Sequence, residues 1–203
     1  MTRALARAFA ALAIAAPLLA GPACAQRRHR SGLWAEVASG QGFVRVVCAG
    51  CEEISTAAGP GGFLRVGGTI TQRAFIGLET FGFTDESFGF DPGDTSGVAA
   101  TGTLAVVLLW FPWRSGVFFK GGVGAAGGDF IVSSGPSQAD TAAGWGAVMT
   151  LGVGFDLPIS RKFAITANAA AFITAMGDVV LPTRTVDDVI ATIYHADIGL
   201  TWR

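Results

Sequence analysis

The chain has 203 residues, of which 51% are hydrophobic and 14% charged, with 29 glycines and a formal net charge of −1. That balance argues against a nucleic-acid partner held by bulk charge. So much apolar surface requires a large core or a bilayer, yet beyond the leader no apolar run is long enough for a convincing membrane helix. The nearest, 98–113, is rich in Thr, Gly and Val and meets Pro112 near its end. A closed barrel is the other structure that satisfies every backbone group in lipid.

The first segment reads as a secretion signal. Arg3 and Arg7 form a basic start, an apolar stretch runs from Ala8 to Ala20, and Ala23-Cys24-Ala25 supplies a small-x-small cleavage site. Cleavage before Gln26 divides the chain into a signal peptide, 1–25, and a barrel domain, 26–203. A lipid anchor on Cys24 is the weaker alternative, because Gly21-Pro22-Ala23 is a poor attachment context.

Eight strand segments follow, near 32–47, 62–72, 73–84, 98–111, 116–129, 143–157, 162–176 and 187–203. Period-two alternation carries the assignment. It is clearest at the end, where Ile190, Tyr194, Ile198, Leu200 and Trp202 share one face and His195, Asp197, Gly199 and Thr201 the other. In 143–157 the greasy set is Trp145, Ala147, Met149, Leu151, Val153, Phe155 and Leu157. With lipid outside, the Gly, Thr, His and Asp set faces a narrow lumen. The expected fold is therefore all-β, an eight-stranded antiparallel up-and-down transmembrane β-barrel.

Connections alternate in length. Short ones fall at 71–73, 112–115 and 158–161, and long ones at 48–61, 85–97, 130–142 and 177–186. Short periplasmic turns and long external loops are the rule for outer-membrane barrels, so both ends of the domain are expected in the periplasm. Charge agrees. Glu52, Glu53, Asp91, Asp94, Asp178 and Asp188 fall in or beside the long loops, whereas Arg73, Arg114, Arg161 and Lys162 fall at the short turns. Trp34, Trp110, Phe111, Trp113, Phe163 and Trp202 are placed in an aromatic belt at the periplasmic ends, with Phe63 and Trp145 at the outer ends.

Alternate positions put Glu36, Arg65, Glu79, Lys120, Asp156, His195 and Asp197 in the lumen. Mixed signs predict a paired network that fills and locks the interior, with Lys120 and Asp156 as one expected pair. A narrow pore for ions or very small solutes is the alternative. Cys48 and Cys51, an even pair in an oxidising compartment, are expected to close a disulfide in the first loop. Neither a thioredoxin context nor further Cys or His ligands for a metal accompany them. The glycine run 121–124 lacks the Lys-Ser/Thr ending of a phosphate loop, so no nucleotide or other cofactor is expected.

Several motifs together resemble a known group: Gly32-Leu33-Trp34, Cys48-Ala49-Gly50-Cys51, the segments 64–69 and 76–79, Phe118–Gly124, Leu151–Asp156 and Ile198–Arg203. The chain resembles the outer-membrane protein β-barrel superfamily, of the small OmpA/OmpX-like type. The resemblance implies an outer-membrane location and outer-membrane lipid, lipopolysaccharide and the barrel assembly machinery as partners. It departs at Trp202, which precedes Arg203 where such chains often end on an aromatic residue. Barrels of this kind that modify lipids place His with Ser, or with Asp and Ser, near the outer surface. Here His29 falls in the N-terminal segment, and His195 faces inward with Asp197 and no serine on its strand. The expected role is therefore non-enzymatic, structural or surface-interacting, with a lipid-modifying enzyme as the least favoured reading.

Overall fold

Successive side chains of a strand point to opposite faces of its sheet, and this chain uses that alternation to separate two environments. The computed structural model describes residues 32–47, 57–88, 97–113, 115–133, 139–180 and 185–203. The expected signal peptide with its cleavage site, and the expected Cys48–Cys51 disulfide, lie outside the described residues.

The elements are β1 (Leu33–Val47), β2 (Ala57–Thr71), β3 (Ala74–Phe88), β4 (Gly97–Trp110), β5 (Val117–Ser133), β6 (Ala139–Pro158), β7 (Phe163–Val180) and β8 (Thr185–Trp202). Each pairs antiparallel with its chain neighbours, and β8 pairs with β1 to close the barrel. The register passes from Glu36 through Arg65, Glu79, Ala105, Gly124, Val148, Thr174 and Ala191 back to β1 at Val46. One circuit thus climbs ten residues along β1, from Glu36 to Val46. Such a stagger tilts strands by roughly 40° and leaves an eight-stranded lumen that side chains can fill.

The turn end is tight. Gly116 has φ +97°, a conformation open to glycine, and an added Cβ would collide with the Asp156 carbonyl oxygen. In the β6–β7 turn the Ser160 hydroxyl accepts from the Lys162 and Phe163 amides at 3.2 and 3.0 Å. Arg73, Arg161 and Lys162 are exposed at this end, and Asp178 and Asp188 at the opposite, loop end.

The outward face is greasy. Leu64, Leu78, Val106, Leu108, Met149, Leu151, Val153, Ile198 and Leu200 are all exposed, whereas Thr150, His195 and Asp197 are buried within the barrel. Water would penalise such a continuous apolar band, and hydrocarbon would not. Phe43 and Tyr194 stack across the β1–β8 seam with centroids 5.0 Å apart.

Three expectations need correction. Trp34, Phe63 and Phe111 are buried inside rather than in the belts, whereas Trp110, Trp113, Trp145, Phe163 and Trp202 do face outward. Parity decides this: Trp34 shares its face with Glu36, and Phe63 with Arg65. The interior is also more apolar than Gly, Thr, His and Asp alone, with Phe81, Phe83, Val107, Val148, Phe172 and Ile193 in one buried cluster. Finally, β2, β3, β5, β6 and β7 run several residues further toward the loop end than the alternation indicates. Hairpin pairing continues past the apolar band, where neither face has to be hydrophobic.

Candidate functional site

The nearest approach to a site is the lumen itself, built in layers from the turn end upward. The floor is aromatic: Trp34 from β1, Phe75 from β3, Leu109 from β4, Phe111 just beyond it and Phe118 from β5. Phe75 meets Trp34 edge-on at 5.8 Å and Phe111 at 5.3 Å. Phe118 sits against Gly154 of the adjacent strand, where a Cβ would run into the ring. At the rim Arg203 forms an ion pair with Asp156. Its guanidinium carbon lies 5.6 Å from the centroids of Phe75 and Phe111. Thr166 donates to Asp156 Oδ1 at 2.8 Å and shares a 2.6 Å contact with the Thr201 hydroxyl.

Above the floor lies the ionic layer. Arg65 and Glu79 are register partners on β2 and β3, and Glu36 faces Arg65 from β1. Arg65 Nε donates to Glu79 Oε2 at 2.7 Å, and Nη1 donates to Glu36 Oε2 at 2.8 Å. Lys120 Nζ reaches both oxygens of Glu79 at 3.0 and 3.1 Å. The side chains of Arg65, Glu79 and Lys120 are 0% exposed. A charge so enclosed is tolerable only when paired and hydrogen-bonded, which this triad is. Aromatic rings cover it: Phe63 lies 4.4 Å from the Arg65 guanidinium carbon, and Phe172 4.6 Å from Lys120 Nζ.

A second polar group occupies the β7–β8 wall. Asn168 Nδ2 donates to Asp197 Oδ2 at 3.0 Å, and His195 Nδ1 lies 3.1 Å from the same oxygen. Facing a carboxylate, Nδ1 carries the proton. The imidazole packs edge-on to Phe81 at 5.1 Å, and Phe81 stacks on Phe172 at 3.9 Å. Nε2 points toward Gly61, where a Cβ would stand 2.9 Å away.

The structure therefore joins Glu36, Arg65, Glu79 and Lys120 directly, and His195 with Asp197. The expected Lys120–Asp156 pair is corrected: Lys120 binds Glu79, and Asp156 binds Arg203 and Thr166. Asn168, Thr166, Thr201 and Arg203 belong to the network although the sequence did not single them out. Strand parity with Asp156 and Asp197 was the available signal. Among the described residues no group of three or more His, Cys, Asp or Glu is arranged to hold a metal.

No protein-family model and no curated protein sequence matches the chain. Solved structures do. Ail, the attachment invasion locus protein of Yersinia pestis, is 14% identical, with 84% of this chain and 99% of that chain covered and a TM-score of 0.56. Neisserial surface protein A is 13% identical, with 85% and 97% covered and a TM-score of 0.54. A major outer membrane protein of Thermus thermophilus is 12% identical, with 83% and 98% covered and a TM-score of 0.53. At such identities it is the architecture that is shared, and the closed eight-stranded antiparallel barrel described above has the fold of the small outer-membrane β-barrel proteins.

Proposed function

We propose that the chain is a non-enzymatic outer-membrane β-barrel with a closed lumen and a structural or surface-interaction role. The observation that carries this reading is the filled interior. An aromatic floor, the Arg65–Glu79–Lys120 layer and the Phe81–Phe172 stack succeed one another along the axis. Side chains of opposite sign neutralise one another across the lumen, whereas a conducting path would tend to be lined by one sign. His195 is tied to Asp197 and packed against Phe81, a structural placement for the imidazole rather than a catalytic one.

On this reading a cleaved signal, 1–25, directs export. The barrel assembly machinery inserts the domain, and outer-membrane lipid and lipopolysaccharide surround it. The exposed apolar band supports insertion. Cys48 and Cys51 form a disulfide in the first loop. Both thiols are expected to resist alkylation until reductant is added, and labelling before reduction would contradict the pairing. Planar-bilayer recording on the purified, folded protein tests the closed lumen. The expected trace is silent. Steady conductance whose ion preference reverses on Lys120→Glu would replace this reading with a narrow pore.

A further inference from the structure

The turn-end mouth has the makings of a receptor for a cation, and that cation is supplied by the chain. Arg203 lies just beyond Trp202, the last paired residue of β8. Its amide donates to the Lys162 carbonyl at 2.8 Å, while its side chain turns into the barrel. There the guanidinium meets the Asp156 carboxylate and two ring faces, Phe75 and Phe111. Flat aromatic walls together with a carboxylate are the chemistry that binds organic cations, through ring quadrupoles and charge-assisted hydrogen bonds.

A second observation points the same way. A small void, about 10 Å³, lies among these residues and also touches Trp34 and Glu36. Glu36 is 3% exposed, and its Oε1 has no hydrogen-bond partner. The Trp34 Nε1 and Arg203 Nε donors at the same wall lack partners too, so the polar groups here do not fully satisfy one another and leave hydrogen-bonding capacity for a ligand. Charge adds to the demand. With Arg203 in place, the buried carboxylates Glu36, Glu79, Asp156 and Asp197 face only Arg65, Lys120 and Arg203 as lumen cations among the described residues, leaving His195 aside. Without Arg203, Asp156 loses its only cationic partner among the described residues.

We propose that the turn-end mouth, formed by Phe75, Phe111, Asp156 and Glu36, is a binding site for guanidinium or primary ammonium groups, occupied in cis by Arg203. Displacing the Arg203 side chain opens the same site to a free guanidinium ion or to a basic side chain presented at the turn end. This site is independent of whether the rest of the lumen conducts.

Chemical rescue tests it. Arg203→Met keeps an apolar stem between the rings and removes the charge, and Arg203→Gln keeps a hydrogen-bond donor instead. Both variants, the wild type and the Arg203→Met/Asp156→Asn double variant are folded into micelles. They are melted with low-millimolar guanidinium chloride or with sodium chloride at the same ionic strength. Guanidinium is expected to raise the Tm of both single variants by a few degrees, and to leave the wild type and the double variant unchanged. Should the single variants fail to fold in sodium chloride, their folding yield with guanidinium becomes the readout, and recovery is expected. No shift and no recovery would overturn the proposal. So would an equal shift in all four proteins, which marks a general salt effect. Adding a short arginine peptide separates the two ligand sources: rescue at lower concentration than the free ion assigns the site to a protein partner, and rescue by the ion alone assigns it to small cations.

Discussion

The two halves of the lumen fill the same cylinder with different chemistry. Toward the turn end the interior is ionic and aromatic: Arg65, Glu79, Lys120 and Glu36 form one network, and Trp34, Phe75, Phe111 and Phe118 form the floor. Toward the loop end it is mostly apolar, with Val44, Val46, Val148, Met176, Val189 and Ile193 in a single cluster. Paired charges are directional and punish any slip of register, because a displaced partner leaves a charge buried alone. Aliphatic packing is more forgiving of exchange among similar shapes. The turn-end half thus specifies which strands meet and at what stagger, and the loop-end half supplies apolar burial.

The largest effect is expected at Glu79, which pairs with both Arg65 and Lys120. Glu79→Ala should destabilise the folded barrel by about 3–5 kcal/mol, measured by denaturant titration in micelles. Replacing the network together, as Glu36→Met, Arg65→Met, Glu79→Leu and Lys120→Leu, should restore most of that loss, because Glu36 also depends on Arg65. If this fourfold variant is as unstable as Glu79→Ala, pairing is not what the network contributes.

Outside the barrel, Leu151→Arg should cost about 2–4 kcal/mol in a bilayer if Leu151 sits near the midplane, read as lost insertion into vesicles. This is the control for both halves, since it changes neither. An unaffected Leu151→Arg would remove lipid from the account of the outer face.

Between the halves, Gly61 gives way to His195. Gly61→Ala places a methyl 2.9 Å from Nε2, and overpacking of that kind costs about 1–3 kcal/mol. The smallest effect belongs to the loop-end half, where Ile193→Val should cost about 0.5–1.5 kcal/mol. Were Ile193→Val as damaging as Glu79→Ala, the contrast between the halves would fail.

Much of the wall was readable from the residues. In β6 and β8 the alternation of Met149, Leu151 and Val153 with Thr150, and of Ile198 and Leu200 with Asp197, states which face meets lipid. The lumen residues Glu36, Arg65 and Glu79 follow from the same parity. Partner choice does not, because it depends on the ten-residue stagger around the barrel, which no single strand records. That is why Lys120 finds Glu79 rather than Asp156, although β5 and β6 are neighbours. Aromatic residues near strand ends are ambiguous for a related reason. Trp34 and Trp202 have the same chemistry and neighbouring positions, and one closes the floor while the other faces outward. The strand extensions were hidden because segments such as Ala57–Gly61 carry the glycine and proline of a loop while still pairing with β1.

That last pair of tryptophans offers the most direct test of a filled interior inside a lipid-facing wall. Trp202 pairs with Ala35, the residue next to Trp34, so the two indoles lie close along the barrel, one on the inner and one on the outer face of the same wall. Two proteins, each retaining one of the five tryptophans and carrying Phe at the other four, are reconstituted into vesicles whose acyl chains carry bromine. The account predicts strong quenching of Trp202 and little quenching of Trp34. Equal quenching of the two, or quenching of Trp34 alone, would contradict it.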